Sequence, residues 1–236
     1  MDRETITDFG YATQLLYPPR ILNKDLLRKM YVELANILNL TESKELVDGI
    51  NFISQSPGKR ESTKYLIKTD RTVVQTAFTT TSLDFFYRKV EAVVKHMVRK
   101  FKIPIFISQV CTVRLLATPK PTNDSREFIG NMVCGFQKEN LSLLARPMQT
   151  VGIRFYFPQV QNNLFDFNVK VESRIEDVTK IWLENTARFF RPIPNDTISV
   201  IHDNLSKTRE FLTKNIADFL AQYNESSKRN ERGGAS

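Results

Sequence analysis

Asp166, Lys170 and Glu172 come closest to a catalytic constellation in this 236-residue chain. Two carboxylates beside a lysine suit a metal-dependent nuclease, in which acids hold a divalent cation next to a phosphate. In a regular strand these even-numbered residues share one side, and Phe165, Phe167, Val169 and Val171 take the other. The same alternation describes an ordinary solvated strand face, which Glu176 and Asp177 would extend. Histidine, the usual general base near neutral pH, occurs as His96 and His202, with no motif around either. Cys111 and Cys134 sit in apolar runs as small core residues, and with the two histidines they give no zinc-ligand spacing. Gly58-Lys59 has the outline of a phosphate loop, but Arg60 follows the lysine and Gly49 lies too far upstream. Neither GxGxxG nor GxSxG is present. The residues therefore imply no cofactor and no metal, and catalysis is the least favoured class of function.

Charge is the stronger signal. The chain carries a formal +8 and a pI near 9.5. Residues 55–105 hold eleven Lys or Arg against four Asp or Glu, whereas residues 164–220 are close to neutral. Lys59, Arg60 and Lys64 fall in or near a loop. Arg88, Lys95, Arg99 and Lys102 recur at helical spacing opposite an apolar stripe. These seven are the candidate contacts for nucleic acid or an acidic partner, because such a stripe can neutralise phosphates and release counterions. A solvated helix face gives the same pattern.

The elements that must position these groups follow from periodicity. Residues 9–16 read as a strand stopped by Pro18-Pro19. Asn23 caps a helix over residues 24–39, and the hydroxyl run at 79–82 caps another over 83–101 that Pro104 ends. Strands are predicted at 50–53, in two pieces over 64–78, at 105–117 and at 180–184. Residues 141–145 are a further candidate strand. Asp124 with Glu127 opens a short helix burying Phe128, Ile129, Met132, Val133 and Phe136. Alternation over 151–173 gives a hairpin with one apolar face. Residues 196–223 form a long amphipathic helix whose heptad stripe at Ile198, Leu205, Leu212 and Phe219 suits a core, or a seam for a partner helix. Phenylalanine, with 17 residues, fits a Phe-rich core.

The predicted fold is α+β: antiparallel or mixed sheets with helices on one face, closed by the C-terminal helix. Residues 1–224 form one domain, whose element order suggests similar halves at 1–120 and 121–224. The polar tail at 225–236 is expected to be disordered. No segment is apolar for the roughly 18 residues a membrane span needs. Residues 1–4 lead into no apolar signal core, and free thiols suit a reducing compartment, so a cytoplasmic address is expected.

The helix at 83–101 leading to Val113-Arg114-Leu115, the strand at 165–172 and the closing helix with Ile201-His202-Asp203 resemble the pattern of a sporadically distributed prokaryotic α+β protein family of unknown function. The resemblance covers most of the chain and implies a prokaryotic cytoplasmic protein, with no activity to transfer. The leading functional expectation is a non-catalytic accessory or adaptor protein that binds another macromolecule through its basic region. A nucleic-acid-binding component of a ribonucleoprotein or defence system comes second, and a carboxylate-metal nuclease third. The sequence leaves the partner and the oligomeric state open.

Overall fold

The computed structural model describes residues 3–55, 58, 60–79 and 81–224. Lys59 and the expected tail at 225–236 lie outside the described residues. In chain order the elements are β1 (Thr7–Leu16), α1 (Lys24–Leu38), β2 (Glu42–Leu46), β3 (Gly49–Gln55), β4 (Ser62–Lys68), β5 (Arg71–Ala77), α2 (Leu83–Phe101), β6 (Ile105–Phe106) and β7 (Ser108–Ala117). There follow α3 (Ser125–Glu127), α4 (Lys138–Ser142), β8 (Gly152–Phe157), β9 (Phe165–Ser173), β10 (Ile181–Phe189), β11 (Ile193–Pro194), α5 (Val200–Glu210) and α6 (Ala217–Ala221).

Nine strands form one sheet in the order β2-β3-β4-β5-β1-β7-β10-β9-β8, every pair antiparallel. The chain runs outward from the central β1/β7 pair on each side and returns as a meander. This is the predicted α+β class with a large antiparallel sheet. Asn23 caps α1 by accepting from the Asp25 and Leu26 amides, and Ser82 caps α2 by accepting from Phe85. Asn39 and Lys102 end these helices in the left-handed region, at φ 51° and 52°.

Helices α1, α2 and α5 cover one face. There Tyr31 lies against Phe52, and Phe86 stacks on Tyr11 at 5.3 Å. Gln109 of β7 donates to Thr13 and to the Ile201 carbonyl, and Asn185 of β10 donates to the Thr208 carbonyl. The stripe of the C-terminal helix is core: Ile201, Leu205, Leu212, Ile216 and Leu220 are buried, so it is not a seam left free for a partner helix. A π turn over Phe211–Ile216 joins α5 to α6. Its wider turn, closed by i to i+5 hydrogen bonds, keeps the four-residue steps from Leu212 to Leu220 on one face.

Several predicted boundaries shift. Residues 105–117 are two strands, because β6 leaves the large sheet to pair with β11. Residues 141–145 are not a strand: α4 and a turn occupy them, with Ala145 at φ 54°. The C-terminal helix begins at Val200, after turns in which Thr197 bonds back to Pro194 and Val200 to Thr197. β2, a polar edge strand with no apolar alternation, has no sequence signal and is held by its ladder to β3. Cys111 is buried and burial pushes its thiol up, whereas Cys134 is half-buried; both are free. Among the described residues no helix is long and apolar enough to cross a membrane.

Candidate functional site

Strand alternation places every second side chain on the face away from the helices. The registers line these residues up in rows across the strands. One row runs Gln55, Ser62, Ala77, Gly10, Arg114, Glu184, Lys170, Arg154. The next runs Ile53, Lys64, Gln75, Ala12, Thr112, Thr186, Asn168, Tyr156. This uncovered face is the largest functional candidate in the molecule.

Its centre is held by ion pairs. Glu184, 9 % exposed, accepts from Arg114 Nε at 2.7 Å and lies 3.0 Å from Lys170 Nζ. Burial acts to raise its carboxyl, but hydrogen bonds from Arg114 and Lys170 outweigh that and hold it below the usual range. A carboxyl depressed in the folded state stabilises above its unfolded pKa, roughly 4.3, and that stability goes as pH falls through the folded value. Glu184→Gln is therefore expected to cost about 2 kcal/mol at pH 7. Urea titrations at stepped pH should show the gap to wild type constant down to about pH 5 and closing below about pH 4. A gap still full at pH 3 would exclude the ion-pair origin.

One end of the face is an open groove of about 860 Å³. A β-bulge between Asp8 and Gly10 turns Phe9 toward it. Phe9 then meets Phe78 and Trp182 edge to face, each at 5.1 Å. The Arg174 guanidinium lies over Phe9 at 5.2 Å and over Trp182 at 6.0 Å. Gly10 permits the close packing, since a Cβ there would stand 2.9 Å from the Thr76 carbonyl oxygen. Arg60 and Arg154 complete a cationic rim, with Glu172 and Glu176 also at the wall.

The basic residues singled out from the sequence do not share one surface. Arg60 is at this groove and Lys64 is exposed on the uncovered face. Arg88, Lys95, Arg99 and Lys102 ride on α2, on the opposite side of the sheet. Lys95 pairs with Glu91 at 2.9 Å. Arg99, Lys100 and His96 converge on Glu33 of α1, whose carboxyl is held low first by Lys100. Sequence proximity misleads here because the chain leaves the end of the interior strand β5 and crosses to α2 on the helix side, splitting the basic window between two faces.

The carboxylates also part company. Asp166 was expected on a solvated face, yet it is 3 % exposed, clamped by Arg188 Nε and Nη2 and hydrogen-bonded by Tyr156. Glu172 is exposed, about 20 Å along the strand at six residues' rise, and Lys170 is engaged by Glu184. No cluster of three potential metal ligands occurs among the described residues. His202 bonds Asp84 at 2.9 Å and packs on Tyr87, whereas His96 Nδ1 bonds the Ala92 carbonyl. The geometry that a carboxylate-metal nuclease needs at Asp166 and Glu172 is not formed.

Neither a scan against protein-family models nor a search of curated proteins finds a match to this chain. The site stands on its own geometry. The Arg114–Glu184–Lys170 row and the Phe9–Trp182–Arg174 cluster escape sequence reasoning, because their members lie far apart along the chain. The one available signal was the polar parity of β10, where Trp182, Glu184, Thr186 and Arg188 alternate with buried Leu183, Asn185 and Ala187.

Proposed function

We propose that this protein is a non-catalytic accessory protein that binds a polyanionic macromolecule through the uncovered face of its sheet. The observation that carries this reading is the charge of that face. Lys44, Lys64, Lys68, Arg71, Arg114, Arg154, Lys170 and Arg188 outnumber Glu42, Asp166, Glu172 and Glu184 there, and still do when Asp48 and Asp70, the turn acids that pair with Lys68 and Arg71, are added. Lys64 and Arg154 have no ion pair among the described residues, which leaves them available to a partner. A cytoplasmic site of action accords with the two free thiols.

A second reading, nucleic acid as the polyanion, is favoured by the groove at Phe9, Phe78 and Trp182. Aromatic faces beside arginines accept unstacked bases while the cations meet phosphates. The resemblance to the sporadically distributed prokaryotic family adds no activity to either reading.

The deciding experiment titrates the protein with single- and double-stranded DNA and RNA, and with poly-glutamate, at about 50 and 200 mM salt. About four phosphate contacts would weaken nucleic-acid binding roughly a hundredfold across that range. Lys64→Glu with Arg154→Glu should remove binding, while Lys95→Glu with Arg99→Glu should leave it within about twofold. Binding of poly-glutamate alone selects an acidic protein partner. No binding of any polyanion at the lower salt, or binding lost through the α2 pair, overturns the reading.

A further inference from the structure

The two edges of the sheet are unlike. β2 ends one side with Glu42, Ser43, Lys44 and Glu45 all exposed, the charged surface that keeps an edge strand from pairing. β8 ends the other side as Gly-Ile-Arg-Phe-Tyr-Phe, with Tyr156 55 % and Phe157 38 % exposed. Behind β8, on the helix side, Phe155, Phe157, Phe211, Ile216 and Phe219 line an apolar groove of about 420 Å³. Ring contacts continue it: Phe155 with Phe219 at 5.6 Å, Phe157 with Phe211 at 5.0 Å, and Phe211 with Phe167 at 4.4 Å. Phe155, Phe157, Phe211 and Phe219 are thus four of the 17 phenylalanines, set at this rim while Phe52, Phe86, Phe106 and Phe128 fill the core. An open backbone ladder and an apolar rim lie side by side on one strand.

We infer that β8 pairs with β8 of a second copy of this chain, antiparallel about a two-fold axis through Phe155. An isologous contact presents one patch to itself, so a strand whose two faces both match their own reversal is the one that fits. Centred on Phe155, the register sets Ile153 against Phe157 and Phe155 against Phe155 on the helix side. The two aromatic grooves then close on each other and leave water. On the uncovered side it sets Arg154 against Tyr156, a cation beside a ring face. Centring on Arg154 would oppose two guanidinium groups, which cross-strand pairing disfavours. Centring on Tyr156 would run Gly152 and Ile153 past the partner's Phe157, where the strand has ended. The Phe155 register also places Pro158 opposite Gly152, at the limit of the pairing. The uncovered faces of the two copies join into one continuous surface.

Sedimentation velocity at about 1–100 µM and oxidative cross-linking test this directly. The wild-type chain is expected to be a dimer that Tyr156→Lys with Phe157→Lys turns into a monomer of unchanged far-UV circular dichroism. Phe155→Cys should give a reducible dimer, because opposed antiparallel residues lie about 4.5–5.5 Å apart at Cα, within disulfide reach. Ile153→Cys should not, since its two copies would lie about 14 Å apart along the strands. Should Phe155→Cys fold poorly, Arg154→Cys with Tyr156→Cys tests the same register from exposed positions. A wild-type monomer at 100 µM overturns the proposal, as does a dimer that persists in the lysine variant or cross-links at Ile153 and not at position 155.

Discussion

Phe86→Ala is expected to cost about 3–5 kcal/mol, the range for deleting a buried aromatic side chain. Phe86 is 1 % exposed, in the second turn of α2, and stacks on Tyr11 of the central strand β1. The cavity would open between a rigid sheet and a helix whose other anchors, Val90, Val94 and Met97, hold it in place, so collapse is limited. A domain with about 5–15 kcal/mol of stability would lose a large fraction of it. In urea the midpoint should fall by about 1–2 M with the slope unchanged. A loss below 1 kcal/mol would mean that α2 does not rest on β1 through this contact.

Arg188→Ala should cost about 2–3 kcal/mol, below the full penalty for breaking a buried pair because the Arg188 side chain is itself 52 % exposed. The cost lies in the stranded Asp166, which keeps one hydrogen bond, from Tyr156, after losing its cation. One consequence separates this from simple loss of packing. Asp166→Asn with Arg188→Gln should recover at least half of the deficit, since neither residue then needs a counter-charge. A double variant no more stable than Arg188→Ala would rule out the stranded charge. Asp166→Asn alone should also destabilise. A carboxylate kept for metal chemistry would instead be expected to stabilise the fold when neutralised, as strained functional groups do.

Two residues show where sequence reasoning held and where it stopped. Asp166 was placed on the polar side of its strand by alternation alone, and that parity is right. Its burial could not be read, because what buries it is Arg188 from β10 and Tyr156 from β8, brought alongside by cross-strand register. Lys95 was placed on the polar side of α2, and that is also right. Its grouping with Lys64 fails because Lys64 points from β4 to the uncovered face, whereas α2 covers the other.

The sequence by itself determined what is local: the Asn23 and Ser82 caps, the apolar stripes of α1, α2 and the C-terminal helix, the β8–β9 hairpin, and the α+β class. These follow from hydrogen bonds and side-chain spacing within a few turns or one hairpin, and the pattern of residues records them. Only the tertiary structure decided the order of the nine strands, which face stays bare, the split of the basic window and the contrast between the β2 and β8 edges. Those depend on contacts between residues far apart in the chain, such as Arg209 with Asp8 at 3.0 Å or Asn204 with Gln109 at 2.8 Å. Burial of apolar surface rewards many pairings nearly equally. The choice among them rests on packing that no single segment encodes.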